Sequence, residues 1–305
     1  MSIDRKKEQL WLPTKSGLIV PAGVASNLTT SSTQTYLHLK DKAKAIKRLY
    51  ADNNIPLPPG CDLTELVADA QRFSDAWLMN DQATANYQLL FRVSSIDRVA
   101  NAILPLATVP NRKRYLTDLT SGSLDFMQRE PSKAKDILWE LDLWSTLNSR
   151  GIDTDLHEPD LVVHFEDATV GIACKKLYSD NNVAKVLSEG VHQTESTHKF
   201  GLLAINLDDL LAGGQIFKAS TQEAMGKIIQ QINMDFLVKH KRHFKRYLQP
   251  GRVISAIVST SLLADLSPNK PAFNTASQLT GWAIPGLSPE KQKQLQRFYS
   301  QLIEQ

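Results

Sequence analysis

The chain has 305 residues, of which 42% are hydrophobic and 22% are charged, which is typical of a globular protein with a sizeable core. Its 35 basic and 32 acidic residues give a formal charge of +3, so attraction to nucleic acid would require local clusters of Lys and Arg. The two cysteines, Cys61 and Cys174, exclude a disulfide framework and a cysteine-rich zinc site, and no apolar run approaches the roughly 20 residues that span a bilayer.

The N-terminal part of the chain divides into two segments. Residues 1–35 are interrupted by prolines and glycines and predict an irregular arm. No apolar segment follows the basic residues near the start, so we expect no signal peptide and a cytoplasmic protein. Residues 36–130 carry apolar residues at helical spacing and are predicted to be mostly helical, with a proline-rich break over 53–60.

The pattern changes after Pro131, and residues 131–305 predict one domain of class α/β (α+β) with a mixed sheet. The predicted elements are a helix over 132–150, a hairpin of 160–165 and 169–174 preceded by a weak strand near 153–157, a helix over 182–196, a strand over 201–207, a long helix over 222–248, a strand over 253–258 and a terminal helix from 289.

Three polar residues of this domain occupy unusual places. Glu140 lies on or beside the apolar stripe of its helix, where a carboxylate is costly to desolvate unless a positive group compensates it. Asp160 follows Pro159 and opens an apolar strand. Lys175 shares a strand face with Ala173, because side chains alternate along a strand.

The order of these residues resembles the PD-(D/E)xK nucleases. The matching features are a helix with Glu140, then Pro159-Asp160, then a strand that ends at Lys175, then a helix that carries Gln193. The resemblance implies a restriction-endonuclease-like αβββαβ core and hydrolysis of DNA phosphodiester bonds with Mg²⁺, or with Mn²⁺ in its place. It also implies that Asp160 and Glu140 bind the metal ion and that Lys175 positions the attacking water.

The chain departs from the family pattern at one position. The strand acid two residues before Lys175 is missing, because position 173 is Ala. A branch of restriction endonucleases that resembles this pattern supplies a Glu from the next helix at a K-x13-E spacing, and Glu189 follows Lys175 with that spacing. The resemblance therefore predicts Glu189 as the third metal ligand and Asp160, Lys175, Glu140, Glu189 and Gln193 as the catalytic set.

Ordinary interpretations of the same residues remain open. Glu140 would be a paired acid at the edge of the stripe, Asp160 a turn residue, and Glu189 part of a solvated helix face. Lys175 would form a solvated pair with Lys176. Ala173 then favours the alternative of a catalytically inactive nuclease-like domain that binds nucleic acid or protein.

Three basic clusters could contact a phosphate backbone through salt-sensitive attraction, although a solvated helix face is the ordinary explanation of each. They are Lys239, Lys241, Arg242, Lys245 and Arg246; Lys40, Lys42, Lys44, Lys47 and Arg48; and Arg112, Lys113 and Arg114. We expect nucleic acid, DNA in the first place, as the partner and no membrane. A homodimer is one assembly that the sequence leaves open.

Overall fold

The structure is a computed structural model and describes residues 11–13, 19–21, 25–30, 33–81, 83–211, 213–266, 273–284 and 286–303. Its helices are α1 (Thr33–Asp52), α2 (Asp62–Leu78), α3 (Tyr87–Val93), α4 (Ile96–Ile103), α5 (Arg112–Asp118), α6 (Lys133–Ser149), α7 (Val183–Glu195), α8 (Gln222–Lys239), α9 (Lys241–Leu248) and α10 (Pro289–Ile303). Its strands are β1 (Trp11–Pro13), β2 (Ile19–Pro21), β3 (Ala25–Thr30), β4 (Thr154–Asp155), β5 (Leu161–Phe165), β6 (Ala168–Lys176), β7 (Gly201–Asn206), β8 (Ile216–Lys218), β9 (Ser255–Asp265) and β10 (Phe273–Trp282).

A mixed sheet forms the centre of the molecule. Within the described ranges its strands follow the order β3-β10-β9-β7-β6-β5-β4, with β8 beside β9. The strands β6, β7 and β9 are parallel, whereas β5 is antiparallel to β6 and pairs Leu161 with Ile172. The continuous apolar runs of β7 and β9 are buried, as expected for strands that are covered on both faces.

Helices cover both faces of this sheet. Ile172 and Cys174 of β6 pack in a core shared with α1, α2, α4, α6 and α10. Ala173 points to the opposite face and packs with α7, α8 and α9 residues. This alternation places α6 and α7 on opposite sides of β6, so side chains from both helices can meet only at the end of the strand.

The predicted fold class is confirmed: a helical N-terminal region precedes a mixed sheet with interspersed helices, and the elements α6, β4, β5, β6, α7 and β7 follow the order αβββαβ. No helix within the described residues is long and apolar enough to cross a membrane.

Several elements differ from the sequence-based expectations, among them strands β1, β2 and β8, which were not predicted. Residues 25–30, predicted as part of an irregular arm, form strand β3 and pair with β10. Strand β10 was not predicted because its inward-facing residues include the polar Gln278 and Thr280. Both are buried, and the side-chain amide of Asn233 in α8 donates to the Thr280 hydroxyl at 3.0 Å. The long helix predicted over 222–248 breaks at His240, whose buried imidazole lies 3.0 Å from the Asp180 carboxylate.

Candidate active site

Asp160 is held at the start of β5 by groups from two other elements. The backbone N–H of Cys174 in β6 donates to Asp160 Oδ2 at 2.7 Å, and the side-chain amide of Gln193 in α7 donates to Oδ1 at 2.9 Å. The Lys175 ammonium lies 3.7 Å from Oδ2. Asp160 is therefore a fixed and partly buried acceptor, and the interpretation as a mere turn residue does not account for these contacts.

Gln193 joins the residues of this site. Its Oε1 accepts a hydrogen bond from Lys175 Nζ at 2.6 Å, while its Nε2 donates to Asp160 and to the backbone carbonyl of Pro159. A single amide thus fixes the positions of an ammonium and a carboxylate at once, because an amide carries both an acceptor and two donors.

Glu140 approaches the same place from α6. Its carboxylate is partly buried and forms no hydrogen bond or ion pair with any other residue that the structure describes. Burial first, and then the charge of Asp160, raise the pKa of Glu140 to about 8, while Lys175 and Arg114 act in the opposite direction. Burial also raises the pKa of Asp160, against the effects of Lys175 and of the hydrogen bonds from Cys174 and Gln193.

Position 173, where the family pattern has an acid, is apolar and fully buried. Ala173 is fully buried among apolar residues of α7 and β7, including Leu187 and Leu203. Gly190 of α7 lies so close to the sheet that a Cβ there would be 2.8 Å from Leu203 and 3.4 Å from Lys175 Cγ. The helix therefore closes over the strand at the position where the family pattern has its acid.

Glu189, predicted from its spacing as the third metal ligand, is not placed with the other two acids. Its carboxylate is exposed and lies 3.8 Å from the ammonium of Lys185, one turn away on the same helix. The physical reason is that α7 turns Leu187, Gly190 and Val191 towards the sheet, which directs Glu189 to solvent. In the described residues no group of three or more His, Cys, Asp or Glu side chains is arranged to hold a metal ion.

The remaining donor set nevertheless suits a hard cation. Mg²⁺ is commonly bound by one or two carboxylates together with waters and substrate phosphate oxygens. Glu140 and Asp160 provide two such carboxylates, and the raised pKa of each records a charge that the surrounding protein does not fully compensate. Residues Glu140 and Asp160 therefore fit Mg²⁺ or Mn²⁺.

Lys176 does not form a solvated pair with Lys175. Its side chain is buried on the opposite face of β6, where the ammonium lies 2.6 Å from Asp209 and donates to Asn206 at 2.5 Å. Nearby, Arg98 bridges Asp142 and Asp208 at 2.8 and 2.6 Å. The ion pairs of Arg98 join the helical region to the sheet domain.

Two residues that the sequence did not single out for the site come from helix α5. Burial and the charges of Glu140, Asp160 and Glu158 raise the pKa of Tyr115, and the charge of Arg114 acts on Glu140. Arg114 was noted only as a member of a basic cluster. No periodicity or motif indicates that this helix, more than 40 residues before Asp160 in the sequence, reaches the acids.

Two of the basic clusters have different surroundings. The basic residues of α1 are largely paired: Lys40 lies 2.6 Å from Asp75, Lys42 lies 2.8 Å from Asp97, and Lys47 donates to Gln71 at 2.9 Å. The cluster on α8 and α9 instead lines an open groove of about 1040 Å³ together with Ala184 of α7. Within it, Lys239 pairs with Asp180 at 2.5 Å, whereas Arg242 and Arg246 are exposed.

Comparisons of this chain with protein-family models, with curated proteins and with solved structures gave no match.

Proposed function

We propose that the chain is a metal-dependent nuclease that hydrolyses phosphodiester bonds of DNA, with Mg²⁺ or Mn²⁺ held by Glu140 and Asp160. The observation that carries the proposal is the placement of two partly buried carboxylates, Glu140 and Asp160, beside an ammonium that Gln193 fixes in place; burial and then the charge of Asp160 raise the pKa of Glu140. Perturbed acids beside a positioned base or cation are typical of active sites.

The residues present suit this chemistry. A bound cation would supply charge stabilisation for the phosphate that is attacked. Lys175 has three N–H donors, of which Gln193 takes one, so the others are available to bind and orient a water molecule beside Asp160. Gln193 keeps the ammonium in this position by accepting its hydrogen bond.

The groove on α8 and α9 offers a path for the rest of the nucleic acid. Ala184 at its edge and Gln193 at the active site belong to the same helix, and nine residues of helix separate them by roughly 14 Å. Exposed Arg242 and Arg246 would then contact the backbone of the DNA within one or two turns of the site. We also propose that the protein is cytoplasmic. Light scattering would show whether the chain forms a homodimer.

The test is a cleavage assay with linear and supercoiled DNA in Mg²⁺, Mn²⁺ or EDTA. Asp160→Asn and Lys175→Met should each reduce the cleavage rate by at least about 100-fold, the size typical of a lost catalytic group. Asp167→Asn is the matched control, because Asp167 lies at the other end of the same hairpin and pairs with Lys293 at 2.5 Å. Equal cleavage by the wild type and by Asp160→Asn would contradict the proposal, as would the absence of cleavage under every condition.

A second candidate function is a nuclease-like domain that binds nucleic acid or protein without cutting. It is favoured by the buried Ala173 and by the exposed carboxylate of Glu189, which leave two acids where the family pattern has three. This candidate predicts DNA binding without cleavage and without Mn²⁺ binding. Loss of Mn²⁺ binding in Glu189→Gln would instead show that Glu189 turns inward with the metal, as the sequence predicted.

A further inference from the structure

We infer that Arg114, from the helical N-terminal region, binds a phosphate oxygen of the substrate at the mouth of the active site. The inference rests on the function proposed above and extends it, because it assigns a substrate contact to a part of the chain outside the αβββαβ core.

Tyr115 links helix α5 to the acids. Its side chain is buried, and its hydroxyl lies 3.5 Å from the backbone carbonyl of Leu156, in the segment that leads to Asp160. Among the charges that act on this hydroxyl, that of Glu140 has the largest effect and that of Asp160 also contributes. Helix α5 therefore borders the space in which Glu140 and Asp160 meet.

Arg114 follows from this placement. Its guanidinium carbon lies 5.9 Å from the centre of the Tyr115 ring, and its side chain is exposed. Among the described residues, the guanidinium forms no hydrogen bond or ion pair. Arg112 is different, because its guanidinium donates to Asn53 at 2.7 Å and to the carbonyl of Val109 at 3.0 Å.

The chemistry of the site indicates what Arg114 binds. Because the Arg114 guanidinium has no hydrogen-bond partner among the described residues, its N–H donors are available to a phosphate oxygen whether or not a cation is bound. A phosphate diester brought to the metal would place a new negative charge beside it. Arginine presents a planar set of five donors that suits phosphate oxygens, and charge-assisted hydrogen bonds of this kind are among the strongest that proteins make.

The experiment compares Arg114→Gln with Lys113→Gln, a loss of the same charge from the neighbouring exposed residue of the same helix. DNA binding is measured by fluorescence anisotropy in EDTA over a range of KCl concentrations, and cleavage is measured in Mg²⁺. Arg114→Gln should make the negative slope of log K for DNA binding against log salt shallower by about 0.9. It should also reduce cleavage by at least roughly 10-fold, and Arg114→Lys should restore part of it.

A substrate with a single neutral methylphosphonate gives a readout that a structural role would not affect. If Arg114 contacts one phosphate, then neutralising that phosphate should remove the difference between wild type and Arg114→Gln, while Lys113→Gln keeps its behaviour throughout. Melting temperatures within about 2 °C of the wild type would show that both variants fold.

The outcomes separate this inference from the proposed function. If Asp160→Asn abolishes cleavage while Arg114→Gln cuts DNA like the wild type and keeps its salt slope, the inference is overturned and the nuclease stands. If no protein cuts DNA, the nuclease proposal falls. In that case a lowered salt slope for Arg114→Gln but not for Lys113→Gln still supports the phosphate contact, and an unchanged slope overturns it.

Discussion

Lys175 and Lys176 are neighbours in sequence, yet their ammonium groups lie in different environments. Lys175 is partly exposed at the site, where it contacts Gln193 and Asp160. Lys176 is buried and pairs with Asp209 at 2.6 Å. Removing one partner of a buried ion pair leaves the other charge uncompensated, whereas a partly exposed lysine can be lost at little cost to stability.

We therefore predict opposite effects of two matched substitutions. Lys176→Met should reduce the free energy of unfolding by about 3–5 kcal/mol. Lys175→Met should change the free energy of unfolding by less than about 1 kcal/mol, although it should also lower the cleavage rate that we propose for the wild type. Urea unfolding of the two variants checks this, and equal losses of stability would contradict the assignment of Lys175 to the site.

Glu140 should make stability depend on pH. Because its pKa is about 8 in the folded protein and near 4.5 when unfolded, ionisation opposes folding. The penalty is absent below pH 4.5, develops between 4.5 and 8, and is complete above 8, where it reaches a few kcal/mol. Glu140→Gln removes the charge, so it should be more stable than the wild type at pH 9 and not at pH 4.

The measurement is the urea midpoint at both pH values, with Glu166→Gln as the control, because the Glu166 side chain is almost fully exposed. Adding Mg²⁺ at pH 9 should stabilise the wild type more than Glu140→Gln, since a ligand of the folded state adds to its stability. If the difference in stability between the wild type and Glu140→Gln is the same at pH 4 and at pH 9, Glu140 does not have the raised pKa.

The sequence suggested candidate residues that the structure brings together, but it did not predict how each side chain is directed. Glu140, Asp160 and Lys175 could be selected because a polar group beside an apolar stripe or at a strand end is chemically unusual, whereas Gln193 was selected only through the resemblance. The direction of Glu189 could not be predicted from spacing alone, because it depends on which face α7 turns to the sheet.

At the scale of elements, the close approach of α7 to β6 shapes the site. Gly190 allows this approach, and an added Cβ would lie 2.8 Å from Leu203 and 3.4 Å from Lys175. Replacing a glycine inside a helix by alanine usually stabilises a protein by up to about 1 kcal/mol. Here the added methyl group would collide with the buried Leu203 side chain, so that side chain or α7 must move.

Gly190→Ala should therefore destabilise the protein by about 1–3 kcal/mol and lower activity, as expected for overpacking of a tight contact. Gly226→Ala in α8 is the control, because nothing lies within 4 Å of the added Cβ, and it should stabilise the protein slightly. Thermal unfolding of both variants checks that the two changes in stability have opposite signs. Stabilisation by both substitutions would show that the contact of α7 with the sheet accommodates an added methyl group.

At this scale, strands could be predicted from the sequence where their buried residues are apolar, but not where their buried residues are polar. The runs of β7 and β9 could be predicted as buried strands. Strand β10 could not, because its inward-facing Gln278 and Thr280 look like surface residues until the facing Asn233 is known.

At the scale of the whole molecule, several contacts join the helical region to the sheet domain. Arg98 of α4 bridges Asp142 and Asp208, and helix α5 brings Tyr115 to the acids. The sequence indicated only basic clusters within residues 36–130 and no contact with Glu140 or Asp160, because contacts between residues so far apart in the chain leave no local pattern.

The proposed path of DNA across this surface gives a prediction on salt dependence. Arg242→Gln combined with Arg246→Gln should make the negative slope of log K for DNA binding against log salt shallower by roughly 1.8, since each lost phosphate contact removes about 0.9. Lys44→Gln combined with Arg48→Gln is the control, because these residues pair with Asp41 and Asp52 of their own helix. Equal slopes for both double variants would place the DNA elsewhere.

The central claim is that Glu140 and Asp160 bind one divalent cation between them, and calorimetric titration with Mn²⁺ tests it most directly. We predict one binding site in the wild type that is lost in Asp160→Asn and in Glu140→Gln and retained in Asp167→Asn. Unchanged Mn²⁺ binding in the Asp160 and Glu140 variants, or no binding by the wild type, would contradict the account.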